Sequence, residues 1–223
     1  MSILIFKDAK TACTAATTLL AGQLLQKPES VLGVEYGENL LPVFDSLAAM
    51  TQNGMLDWSR TKLFQLTELV QEDSLSTIRE TLGAVLPDRV GVPQENFYSP
   101  DASSFNWADS CRDFEDNIRR LGGMDMALIS VRPDGGVLYN GAGGEIAPTT
   151  HVELYGGRKT VTLGLPSLME SRKLVVLLTG DALKEAAAAC LRGALNSRCP
   201  ASLLQLHEAA TFLLDEEAAA LLG

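Results

Sequence analysis

Apolar runs of strand length alternate along this chain with segments whose apolar residues recur at helical spacing, the pattern of helices covering both faces of a largely parallel sheet. Ser2–Lys7 reads as an opening strand. Asp8 then caps a helix carried by Cys13, Ala16, Leu20 and Leu24, with Pro28 just beyond its end. Ser30–Val34 reads as a second strand, followed by a loop around Gly37 and a helix from about Leu41 to Met50; Thr61–Leu66 is a third strand. Trp107, Cys111, Phe114, Ile118 and Leu121 form one apolar stripe, which assigns them to a core-facing helix rather than to ligand binding. That helix ends at Gly122-Gly123 and leads into the strand Met124–Ile129. Leu174–Thr179 is a buried-strand run, after which Gly180-Asp181 starts an Ala-rich helix through about Leu195. Thr211–Leu214 supplies a last strand and Glu216–Leu222 a closing helix. The expected fold is α/β and Rossmann-like, in a single domain over residues 1–223 with no shift of composition to mark a boundary.

Charge narrows the function. A net charge of −10 and a pI near 4.7, with the 18 Lys and Arg residues scattered, oppose a nucleic-acid role, because binding phosphate backbones needs clustered cations. Nowhere do about 18 apolar residues run together, and the N-terminus lacks a basic leader or a small-residue cleavage site, so no membrane partner and a cytoplasmic location are expected. Cys13, Cys111, Cys190 and Cys199 are far apart and show no CxxC spacing; reduced thiols without catalytic role are expected, and no metal or cofactor.

The chemistry-bearing stretch follows the strand Met124–Ile129: Ser130-Val131-Arg132-Pro133-Asp134-Gly135-Gly136-Val137-Leu138-Tyr139-Asn140-Gly141. It resembles the catalytic loop of the glucosamine-6-phosphate isomerase/deaminase family, whose 6-phosphogluconolactonase relatives share the fold and whose loop reads Asp-Gly-His and then Phe-Asn-Glu-Pro. Asp134, Gly135 and Asn140 keep the pattern, while Gly136 stands in the histidine position and Gly141 in the glutamate position. Other stretches resemble the family in the same order. They are Lys27–Val34, Lys62–Val70 at the Asp-Glu-Tyr strand end, Val92–Asn96, Cys111–Glu115, Thr160–Gly164, Ala201–His207 and Leu213–Ala219. The resemblance implies the deaminase/lactonase-type fold and a sugar phosphate as small-molecule partner, with oligomerisation open.

It also implies where catalysis would sit. The family takes its proton-transfer base from the Asp of Asp-Glu-Tyr, and Thr67 occupies that position; neighbouring Glu68 points to the opposite face of an extended segment. The motif histidine opens the sugar ring in deaminases and serves as general base in lactonases, and Gly136 supplies neither function. Asp134 and Asn140 are the retained catalytic-loop residues, and Asp134, Glu145 and Glu68 are the candidates for a replacement base. The other histidines, His151 and His207, are assigned structural or surface roles.

For the phosphate, the ungapped match gives Glu35-Tyr36-Gly37-Glu38-Asn39-Leu40, with Gly37 and Asn39 as candidate contacts beside Gly180 and Lys184. Lys184 reads equally as a surface lysine over a helix start. A Glu38 carboxylate aimed into the cradle would cost about 4 kcal/mol per unit charge at ~4 Å, and turned outward nothing. Only Glu145–Lys159 is available as a lid, with Arg158 and Lys159 as its cations. Two function classes follow: a divergent isomerase/deaminase with altered catalysis, or a non-catalytic protein binding a sugar phosphate, another metabolite or a protein. A lactonase is less well supported.

Overall fold

In the computed structural model, which describes residues 1–70, 77–103 and 106–223, seven parallel strands form the central sheet. They are β1 (Ser2–Phe6), β2 (Val31–Val34), β3 (Lys62–Gln65), β5 (Phe97–Tyr98), β6 (Met126–Ser130), β9 (Leu174–Leu178) and β10 (Ala210–Asp215), in the order β1-β10-β9-β6-β2-β3-β5. A smaller antiparallel sheet contains β4 (Thr67–Leu69), β8 (Arg158–Thr162) and β7 (His151–Tyr155), in that order.

The two-residue period of each strand divides the core. Along β9, Leu174, Val176 and Leu178 enter one apolar cluster and Val175 and Leu177 the other; β6 sorts Ala127 and Ile129 from Met126 and Leu128 in the same way. The first cluster is covered by α5 (Trp107–Arg120), α6 (Leu165–Met169) and α7 (Lys184–Arg192). The second is covered by α1 (Ala9–Gln26), α2 (Leu41–Gln52), α3 (Ile78–Val85) and α4 (Pro87–Val90). This is the expected Rossmann-like arrangement, with helices on both faces.

Local signals set several boundaries where the sequence puts them. Asp8 Oδ1 accepts from the Thr11 N–H at 2.8 Å at the start of α1, and α5 buries Cys111, Phe114 and Ile118 from the stripe. Three expectations are corrected. Glu216–Leu222 is a series of turns, tied by Asp215 Oδ1 to the Ala218 N–H at 2.8 Å. The Ala-rich helix begins after a 3₁₀ turn at Asp181–Leu183 and stops at Arg192, before Gly193. Elements β4, β5, β7, β8 and α3 were not expected, being short or only partly apolar.

All four cysteines are free and buried, and burial pushes the Cys190 thiol up to about 12. A thiol-specific reagent is expected to label them slowly in the native protein and all four after unfolding without reductant. Fewer than four reactive thiols in the unfolded chain would overturn this. Among the described residues no helix is long and apolar enough to cross a membrane, and no group of three or more His, Cys, Asp or Glu could hold a metal.

Candidate active site

After β2 the chain adds β3 and β5 on one side; from β6 it adds β9 and β10 on the other. The order therefore reverses between β2 and β6, and an open α/β sheet places its ligand crevice at such a point, beyond the carboxyl ends of the strands. The two loops emerging there are Glu35–Leu40 and Val131–Gly141.

They are tied to each other. The Glu35 carboxylate accepts from the Ser130 N–H at 2.8 Å, and Asn39 Nδ2 donates to Ser130 Oγ at 2.6 Å. Glu35 is part-exposed yet densely surrounded by protein. Desolvation raises its pKa to about 7, against the opposing effects of the Ser130 N–H and the Arg132 charge. Arg132 lies across the second loop. Its guanidinium carbon is 3.4 Å from the centroid of the Tyr155 ring and 5.2 Å from that of Tyr139, and Nη1 donates to Leu138 O at 2.9 Å. Burial lowers the Arg132 pKa, and nearby Asp134 and Glu35 oppose that effect. Its Nε is buried with no hydrogen-bond partner among the described residues, as is Gln65 Oε1 at the end of β3.

The loop itself is tightly folded. Asp134 Oδ1 accepts from the Gly136 N–H at 2.9 Å, Gly135 has φ +79° with its backbone against Cys199, and buried Leu138 has φ +54°, a left-handed conformation costly for leucine. Asn140 is buried and donates to Val137 O and Leu163 O, both at 3.0 Å, so its amide closes the loop onto the chain after β8. A Cβ on Gly136 would lie 2.9 Å from Asp134 Oδ1, 3.0 Å from Asn140 O and 3.1 Å from Arg132 Cδ, whereas Gly141 faces open space.

The remaining candidates have these positions. Thr67 is buried in β4, opposite Thr162 of β8. Glu68 is buried and accepts from the N–H groups of Leu69, Ile78 and Arg79 and from Gln65 Nε2, so its carboxylate holds the start of α3. Glu145 is exposed. Glu38 is exposed too, in a short 3₁₀ turn after Gly37, the outward alternative. Asn39 and Thr179 line one pocket, which brings the β2 loop near the end of β9. The Gly180 N–H is taken by Asp215 at 2.9 and 3.0 Å, and Lys184 Nζ pairs with Asp181 at 2.8 Å. Buried His207 contacts Ser171 O through Nε2 at 2.7 Å and accepts from the Ala209 N–H, while His151 Nδ1 contacts Thr149 O. The lid segment forms the β7–β8 hairpin, which lays Tyr155 on Arg132; Lys159 instead sits 4.9 Å from the Trp107 ring centroid.

The sequence assigns no role to Glu35 or Arg132. Each is a lone charge in a loop, and the adjacency of β2 and β6 brings their loops together, close enough for each charge to affect the other.

The fold and crevice define an α/β protein of the deaminase/lactonase type. Residues 7–213 match the glucosamine-6-phosphate isomerases/6-phosphogluconolactonase family, and the chain belongs to it. A glucosamine-6-phosphate deaminase of Streptomyces avermitilis is 29% identical over 239 residues, covering 98% of this chain and 92% of that protein. One from Arthrobacter sp. is 30% identical, with 98% and 92% covered. Among solved structures, a monomeric glucosamine-6-phosphate deaminase superposes with a TM-score of 0.94 at 22% identity, over 99% of this chain and 100% of that one. The 6-phosphogluconolactonase of Trypanosoma brucei gives 0.85 at 17% identity, over 100% and 98%.

Proposed function

We propose that this protein binds a sugar phosphate in the crevice between the β2 and β6 loops and that its deaminase chemistry is altered or absent. The observation carrying this reading is the surroundings of Gly136. A Cβ there would be crowded by Asp134 Oδ1 at 2.9 Å, Asn140 O at 3.0 Å and Arg132 Cδ at 3.1 Å. Thr67 offers a hydroxyl where proton transfer needs a carboxylate, and Glu68 beside it is already held by four donors. Asp134 has a partner in the Gly136 N–H. The phosphate contacts we assign are Gly37, Asn39 and Lys184, with the Lys184 ammonium released from Asp181 to meet the ligand; the Gly180 N–H, expected as a further contact, is already donated to the Asp215 carboxylate.

A thermal-shift screen against glucosamine 6-phosphate, glucose 6-phosphate and fructose 6-phosphate tests this. A ligand at ~100 times its Kd adds about 2.7 kcal/mol, which for a chain of this size raises Tm by about 5–10 °C. Lys184→Ala should reduce the shift. No shift with any hexose phosphate would sink the reading.

A further inference from the structure

We infer that Arg132 is the receptor for a ligand oxyanion, and that Glu35 takes up a proton when the oxyanion binds. This deepens the proposed crevice function and rests on it.

Three observations carry the inference. The Arg132 guanidinium carbon lies over Tyr155 at 3.4 Å from the ring centroid, with Tyr139 beside it, so its donors are held in place before any ligand arrives. Its outer donors are under-used: Nη1 meets Leu138 O and Nη2 makes no hydrogen bond among the described residues, while Nε is buried without a partner and Asp134 Oδ1 stands off from it at 3.9 Å. A guanidinium so placed at the switch point fits a carboxylate, sulfate or phosphate oxygen.

The second element is Glu35, anchored by the Ser130 N–H at 2.8 Å in the adjoining loop and electrostatically coupled to Arg132. The charged and titratable groups around the pair are Asp134, on Arg132, and Tyr139, which itself feels Glu35, Arg132, Glu68 and Arg158. Desolvation already holds the Glu35 carboxyl near neutrality, at about 7. An anion arriving on Arg132 adds a like charge and withdraws part of the cation that favoured the carboxylate, so the carboxyl protonates. Binding and proton uptake are then linked, and anion affinity falls as pH rises through the free-state value.

The test uses inorganic sulfate, which stays doubly charged from pH 6 to 8, so that titration of the ligand does not enter. Acetate in a parallel arm separates carboxylate from tetrahedral recognition. Isothermal titration of the full chain should show sulfate binding about tenfold tighter at pH 6 than at pH 8 for one linked proton. Glu35→Gln should abolish the pH dependence and keep the tighter affinity at both values. Arg132→Gln should lose at least about tenfold, and Arg132→Lys, which keeps charge but not the fork, should fall between. Melting curves without anion report folding of each variant, and Glu35→Gln should also gain stability at pH 8 relative to pH 6. A folded carboxyl with a raised pKa favours the native state at low pH and loses that advantage as pH rises toward about 7.

Sulfate binding that is indifferent to pH, or that survives Arg132→Gln undiminished, would overturn the inference, as would no binding of sulfate or acetate. Hexose phosphate binding with those outcomes leaves the crevice function standing; absence of that binding as well removes both.

Discussion

Glucosamine 6-phosphate incubated with this protein is expected to release no ammonia above background, and Gly136→His alone is expected to leave that result unchanged. Losing a positioned acid or base costs about a hundredfold to ten-thousandfold each, and on the proposed reading Thr67, Gly136 and Gly141 leave three positions without one. Restoring the imidazole meets a steric obstacle. Its Cβ would press on the backbone oxygen of Asn140 at 3.0 Å, which the closed loop holds in place, and on Arg132 Cδ at 3.1 Å. Arg132 Cδ would have to yield by a few tenths of an ångström to make room. The variant with the best prospect therefore combines Thr67→Asp, Gly136→His and Gly141→Glu and keeps Arg132 for the ligand. A coupled ammonia assay on the triple variant and its parent measures this. Ammonia released by the unmodified protein, and abolished by Asp134→Asn, would establish a rearranged active enzyme instead.

Glu68→Ala should be among the most destabilising single changes near the crevice. Its carboxylate is 3% exposed and accepts from the N–H groups of Leu69, Ile78 and Arg79 and from Gln65 Nε2, at 2.7–2.9 Å. Removing it strands several donors in the interior, among them the first two N–H groups of α3, while the Thr77–Glu80 capping box remains. Each buried unsatisfied group costs about 1–3 kcal/mol, so even with partial relaxation we expect a loss of about 3 kcal/mol or more. For a chain of this length that lowers Tm by about 6–12 °C. Glu68→Gln should recover only part, because its amide turns donors toward donors. Glu145→Ala, at an exposed position, is the control and should melt within about 2 °C of the parent. A Glu68→Ala protein with the parent's Tm would show that the carboxylate is not the structural anchor described and return it to the list of candidate bases.

The sequence alone determined the elements buried on both faces. Leu174–Leu178 and Met126–Ile129 read as strands because a parallel strand between two helical layers must be apolar on each side, and the α5 stripe read as core because its 3.6-residue period admits one buried face. The family followed from residues as well, since the motifs of Ser130–Gly141 and the C-terminal stretch hold their order. Elements defined by partners rather than by composition were not legible. Three-residue β4 exists because β8 pairs with it, and Glu216–Leu222 carries helix-forming residues yet forms turns. The charged centre of the crevice was the last to be decided. Glu35 and Arg132 are 97 positions apart in sequence, and each lies in a stretch that resembles a family loop at a position to which the resemblance assigns no role. Their loops adjoin because β2 and β6 are neighbours at the reversal of strand order, and the hairpin that lays Tyr155 on Arg132 comes from a third stretch of chain. Strand order is set by the packing of the whole sheet, so only the tertiary structure could bring these charges together.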